Sequence, residues 1–123
     1  MPTTEVIIYQ ESEGDVPFLE WFDRLLTKVQ VKCLARLEAL QESGSELRRP
    51  IADYLRDGIY ELRASAQHVN YRMLYTFVGQ NVTLLTHGLV KESQVPPDEI
   101  DLALHRKKQF EADPEKHSYR GEL

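Results

Sequence analysis

An α+β fold is predicted for this chain, with an N-terminal strand and a helix pair packed on an antiparallel sheet and a last helix after it. Three observations predict it. The opening segment is β-branched, two stretches with apolar residues at helical spacing follow, and three strand-like segments precede a proline-opened amphipathic stretch. With 123 residues, 41% hydrophobic and 28% charged, the chain suits one globular domain with a single core. Residues 1–113 are expected to form that domain and the polar stretch 114–123 a mobile tail.

Residues 4–10, rich in β-branched and aromatic side chains, predict the first strand. A polar break containing Gly14 follows, and Asp15 with Pro17 marks a helix start. Phe18, Trp21, Phe22 and Leu25 fall on one helical face, so Trp21 reads as a core residue rather than a binding aromatic. Thr27 is a place for that helix to break or bend. Val29, Cys33, Leu37 and Leu40 then form the stripe of a second helix over 28–42, ended by Ser43-Gly44.

Strands are expected at about 58–65, 69–78 and 81–90. Gly79-Gln80 suits a two-residue type II′ turn, which sets Arg72 opposite His87. A loop over Ser65 to His68 sets Glu61 opposite Arg72 and Arg63 opposite Asn70. In that register Glu61, Arg63, Asn70, Arg72 and His87 share one face, while Tyr60, Leu62, Met73, Tyr75, Val82 and Leu84 form the opposite, core face. A one-residue slip in either loop would scramble the assignment. Pro96-Pro97 opens the last helix, about 97–112, with Asp98, Glu99 and Asp101 early and Arg106, Lys107 and Lys108 later, the order a helix dipole favours.

Charge is unevenly distributed. The chain has 20 acids and a net charge of −5, yet no Asp or Glu lies between Arg63 and Lys91, where an even spread would place about five. The charges left there are Arg63, Arg72 and Lys91, with His68 and His87 able to add protons. Such a strip suits a phosphate-bearing ligand; the plainer alternative is that strands use few acids in any case. The negative total argues against a non-specific nucleic-acid coater. A single cysteine excludes an internal disulfide, and Cys33 in a helical apolar pattern reads as a buried, reduced thiol. With no leader-like start and no apolar run approaching 18 residues, a cytoplasmic protein without membrane contact is expected.

No CxxC, HExxH or EF-hand pattern is present, nor a Gly-rich phosphate loop or nucleophile elbow, so neither a metal nor a cofactor is implied. Chemistry by cations alone stays open. RNA carries its own nucleophile, the 2′-hydroxyl, so a site need only move protons and neutralise charge on the phosphorus. Arginine suits the second task, because its planar fork binds phosphate oxygens in pairs and stays charged. Equally, Arg72 could simply pair with Glu61 and Arg63 could be a solvated strand residue.

Four ordered segments bear on that choice: Tyr60-Glu61-Leu62-Arg63, Tyr71-Arg72-Met73-Leu74-Tyr75, His87-Gly88-Leu89-Val90-Lys91 and Pro97-Asp98-Glu99-Ile100, with Gly58 and Ala103 alongside. Together they closely resemble the RelE/ParE toxin superfamily, nearest its phage-derived HigB-like branch. The resemblance runs from the first strand through residue 110. It implies a RelE-like, microbial-RNase-like domain and the toxin of a type II toxin–antitoxin module. Such a toxin would cut mRNA on the ribosome without a metal and inhibit translation. Arg63 and Arg72 would then bind the phosphate, Lys91 would bind phosphate or transfer a proton, and His87 would act as general base or acid.

The implied partners are mRNA on the ribosome and a cognate antitoxin with a helix-turn-helix DNA-binding region. Two departures stand out. Lys91 is followed by Glu92 where the branch has a second lysine, and the last helix lacks the tyrosine of RelE-type members. The alternatives are a ParE-like inhibitor that binds DNA gyrase, or a catalytically degenerate member that only binds its antitoxin.

Overall fold

The computed structural model describes residues 3–90 and 93–121. A six-stranded mixed sheet lies between two helical layers. Its strands are β1 (Glu5–Tyr9), β2 (Ala52–Arg56), β3 (Ile59–Ala66), β4 (Val69–Val78), β5 (Val82–Val90) and β6 (Ser118–Tyr119), arranged β2-β3-β4-β5-β1-β6. The sheet is antiparallel except where β1 runs parallel to β5. That pairing corrects the all-antiparallel expectation, and the two short edge strands β2 and β6 were not anticipated.

The helix pair is α1 (Pro17–Phe22) and α2 (Thr27–Ser43), separated by Asp23–Leu26. Phe18 and Phe22 of α1 and the stripe Val29, Cys33, Leu37 and Leu40 of α2 are buried against one sheet face. Leu62, Ala64, Met73, Tyr75 and Leu85 meet them from the strands. Each large side chain fully buried there contributes about 1.5–3 kcal/mol by area removed from water. Gly88 shows how closely the layers approach, since a Cβ there would overlap the Trp21 ring.

Helix α3 (Pro97–Ala112) covers the other face. Ile100 and Ala103 pack on Ile59, Leu74 and Leu89, and Phe110 joins Tyr9 and Leu84. Residues 114–123, expected as a mobile tail, contain a docked segment. Ser118–Tyr119 pairs with β1, and buried His117 stacks on Tyr9 while its Nδ1 hydrogen-bonds the Gln10 carbonyl at 2.8 Å. Among the described residues no helix is long and apolar enough to cross a membrane.

Both hairpin registers differ from expectation. The β3–β4 loop is only Gln67-His68, each at positive φ, so Arg63 faces Arg72 and Glu61 faces Leu74. The expected partners Asn70 for Arg63 and Arg72 for Glu61 are therefore each displaced by two positions, which preserves the face. The β4–β5 loop takes three residues, 79–81, so Val82 and Leu84 turn to the α3 face rather than the helix-pair core. An extra residue at Thr86 then restores the alternation, and His87 regains the face of Arg72, opposite Leu74 rather than Arg72.

Candidate functional site

The α3 face has two parts. Beneath α3 it is apolar, but at the β2–β3–β4 corner it is built from charges. Arg63 and Arg72 stand directly opposite one another on neighbouring strands, an arrangement that like charges alone would disfavour. Glu61, its side chain 2% exposed, relieves it. One carboxylate oxygen accepts from Arg63 Nε at 2.7 Å and the other from Arg72 Nη1 at 2.8 Å. Asp53, opposite Glu61 on β2, accepts from Arg63 Nη2 at 3.1 Å and pairs with Arg49 at 3.0 Å. Its hydrogen bond from Arg49 holds the Asp53 carboxyl below the usual carboxylate range, aided by the Tyr54 amide and the charges of Arg49 and Arg63 against some desolvation.

Asp53, Glu61, Arg63 and Arg72 wall a cleft of about 520 Å³ between the corner and the approach to α3, lined also by Arg56, Ser93, Gln94, Val95 and Ile100. Arg56, Arg63 and Arg72 line it with Asp53 and Glu61, and Arg56 is itself paired with Asp57 and Asp101 at 2.8 Å each. The Arg63 side chain is 36% exposed and that of Arg72 13%, so Arg63 borders solvent while Arg72 is largely enclosed, its Nε buried without a hydrogen-bond partner among the described residues. A buried carboxylate that fixes two forks side by side pre-orients them for an anion.

His87 is elsewhere. It is buried under α3, its Nε2 2.9 Å from Glu99 Oε1 and its Nδ1 3.0 Å from Thr86 Oγ1, and it does not line the cleft. Burial, with Arg106 nearby, pushes its pKa below the usual 6.5 against the pull of Glu99. Lys91 lies outside the described residues, as does Glu92. The two arginines are thus brought together, and His87 is placed on their face but in a separate network. Cys33 is a buried thiol, pushed up to about 11 by desolvation. Among the described residues no group of His, Cys, Asp or Glu could hold a metal ion.

The profile of the family described as Phage derived protein Gp49-like (DUF891) matches residues 20–108. The chain belongs to that Gp49-like family. The family lies within the RelE/HigB toxin-like superfamily of toxin–antitoxin proteins, which implies an antitoxin partner. A comparison with curated proteins found no match. In this Gp49-like chain the described residues of the four ordered segments include two bonded sets, Glu61–Arg63–Arg72 in the cleft and His87–Glu99 beneath α3. Ala103, fully buried on Ile59 and Leu74, is the small residue that lets α3 sit close to the sheet.

Sequence reasoning missed Asp53 and Arg49 as members of the site. The available signal was Asp57-Gly58 ahead of Ile59, a hairpin dipeptide whose two residues both adopt positive φ and which sets β2 beside Glu61.

Proposed function

We propose that this Gp49-like protein is the toxin of a toxin–antitoxin pair and acts as a metal-independent mRNA endoribonuclease on the ribosome. The observation that carries the reading is the side-by-side placement of Arg63 and Arg72 in an open cleft, oriented by buried Glu61. In the proposed mechanism the scissile phosphate lies against both guanidinium groups. They neutralise the charge that grows as the 2′-oxygen attacks phosphorus and the 5′-oxygen departs. Lys91 binds the phosphate or transfers a proton. His87 serves as general base or acid only after the Glu99 contact opens, so the weight of the reading rests on the arginines.

One observation favours a binding-only toxin, such as a gyrase inhibitor. Glu61 already occupies donors of both arginines, as a purely structural ion-pair network would. The two readings separate in a purified translation mixture, with and without ribosomes, using the antitoxin-free protein. Ribosome-dependent cutting by wild type that disappears in folded Arg63→Ala/Arg72→Ala supports the nuclease. Absence of cutting by folded wild type overturns it, and inhibition of gyrase supercoiling then becomes the assay that decides for the binding-only reading.

A further inference from the structure

Two more clefts lead away from the arginine pair. The first, about 430 Å³, shares Arg63 and Arg72 with the cleft described above and adds Arg36, Ser65 and Asn70. The second, about 530 Å³, shares Ser65 and Asn70 with the first and continues past Lys32 to Gln67 and His68 at the hairpin turn. Neither has a carboxylate among its described lining residues.

The cations of this path are held outward by the backbone. Residues 59–62 of β3 pair with β2 and the Arg63 N–H donates to the Ile51 carbonyl at 2.7 Å, so it is residues 64–66 that have no strand partner on that side. Lys32 and Arg36, one turn apart on α2, reach that edge. Lys32 Nζ donates to the Ser65 carbonyl at 2.7 Å, and Arg36 Nε donates to the Arg63 carbonyl at 3.0 Å. Charged side chains commonly protect a strand edge in this way. A single bond each, however, leaves the other N–H groups of Lys32 and the Nη groups of Arg36 without a partner among the described residues.

We propose that the RNA strand flanking the cleaved phosphate runs through these two clefts, with its phosphates over Arg36 and then Lys32. The proposal rests on the nuclease reading and extends its site. Beyond the Arg63–Arg72 pair, which Glu61 bridges, the cations continue through Arg36 to Lys32 along clefts whose described lining holds no carboxylate, and this run matches a polymer that is charged at every residue. An acidic protein segment carries its carboxylates intermittently and fits the path less well. Contacts of this kind read the backbone, so they position the RNA without choosing its sequence.

The test uses fully 2′-O-methylated, hence uncleavable, oligoribonucleotides of three and nine residues, titrated by fluorescence anisotropy over a range of salt. Lys32→Gln/Arg36→Gln keeps an amide donor for each carbonyl and removes both charges. It is expected to weaken nonamer binding about tenfold and to reduce the salt slope by about 1.4, at roughly 0.7 per phosphate contact on a single strand. Trimer binding should stay within about twofold of wild type, and Lys32→Arg/Arg36→Lys should restore the nonamer. Lys32→Ala, at an exposed helix position, should give about half the slope change and keeps the test decisive if the double variant is unstable.

Wild-type affinity and slope in the folded double variant would overturn the proposal. So would failure of wild type to bind either oligonucleotide. Loss of antitoxin affinity alone would also overturn it and make the clefts a protein-docking surface. The nuclease reading fails on a different result, unimpaired mRNA cutting by folded Arg63→Ala/Arg72→Ala.

Discussion

The two faces of this sheet are stabilised in opposite ways. Toward α1 and α2 every strand contributes apolar side chains, and the packing is close enough that Gly88 has no room for a methyl group. Toward α3 only the centre is apolar, and the β2–β3–β4 corner is held by Glu61 and Asp53 between Arg49, Arg63 and Arg72. A dry core tolerates no added volume but contains nothing to bind a ligand. A corner of paired charges is costly to desolvate, yet it keeps donors fixed beside solvent. The charged corner is where function is proposed, and the first prediction asks how much of it is structural.

Arg72→Ala should have the largest effect. Because the Glu61 side chain is 2% exposed, removing its better-buried partner leaves a nearly buried carboxylate under-paired, and breaking such a pair costs about 3–5 kcal/mol. Arg63→Ala removes the more exposed partner and should cost less, about 1–2 kcal/mol, in chemical unfolding. Each should reduce mRNA cutting by about 10²–10³-fold. Glu61→Gln/Arg72→Gln sharpens the comparison, since it should recover much of the stability and none of the cutting. Recovery of both would show that the corner is only structural.

Gly88→Ala probes the other face. The added methyl would overlap Trp21, so a loss of about 1–3 kcal/mol is expected for overpacking. Trp21 is the sole tryptophan, so its fluorescence should report the displaced ring directly. Trp21→Leu in the same chain should return part of the stability. Normal stability in Gly88→Ala would mean that the two layers can separate at little cost.

How legible these faces were depended on whether local signals fixed the register. The helix stripe Val29–Cys33–Leu37–Leu40 and the bounds of α3 follow from period and proline placement, which need no tertiary information. Arg63 and Arg72 were placed on one face because the misjudged turn shifted the pairing by two residues, an even number. His87 reached the right face through two compensating departures, the three-residue loop and the extra Thr86, while Val82 and Leu84, lying between them, did not. The docking of Ser118–Tyr119 depends on the distant Tyr9 and Gln10, and the reach of Lys32 and Arg36 to β3 depends on how α2 packs. No local pattern carries either.

His87 tests the boundary between the two halves of the α3 face. With its pKa lowered by burial and Arg106, the unfolded chain binds the proton more readily than the fold does. The stability linked to this group is therefore fully present above the unfolded value of 6.5 and is lost as pH falls from there toward the lower folded value. The slope attributable to it is at most about 1.4 kcal/mol per pH unit. His87→Gln should flatten that part of the curve, with Glu99 and Arg106 as the charged neighbours that remain. If mRNA cutting by His87→Gln stays near wild type, His87 pins α3. If cutting falls while the unfolding curve is unchanged, His87 carries a proton in the reaction.

The smallest expected effect lies at the hairpin turn where the RNA path is proposed to end. Gln67 and His68 both adopt positive φ, at 53° and 68°, in a two-residue turn that Asn-Gly would fill with less strain. Replacing them with Asn-Gly should raise stability by about 1 kcal/mol in thermal unfolding, because neither new residue resists the left-handed backbone. The same variant keeps Lys32, Arg36, Arg63 and Arg72 in place. If it is stabilised and cuts mRNA normally, the strain at the turn is incidental. If it is stabilised but binds the nine-residue strand more weakly, then the Gln67 and His68 side chains take part in holding the RNA, and the unfavourable backbone is retained for the groups it presents.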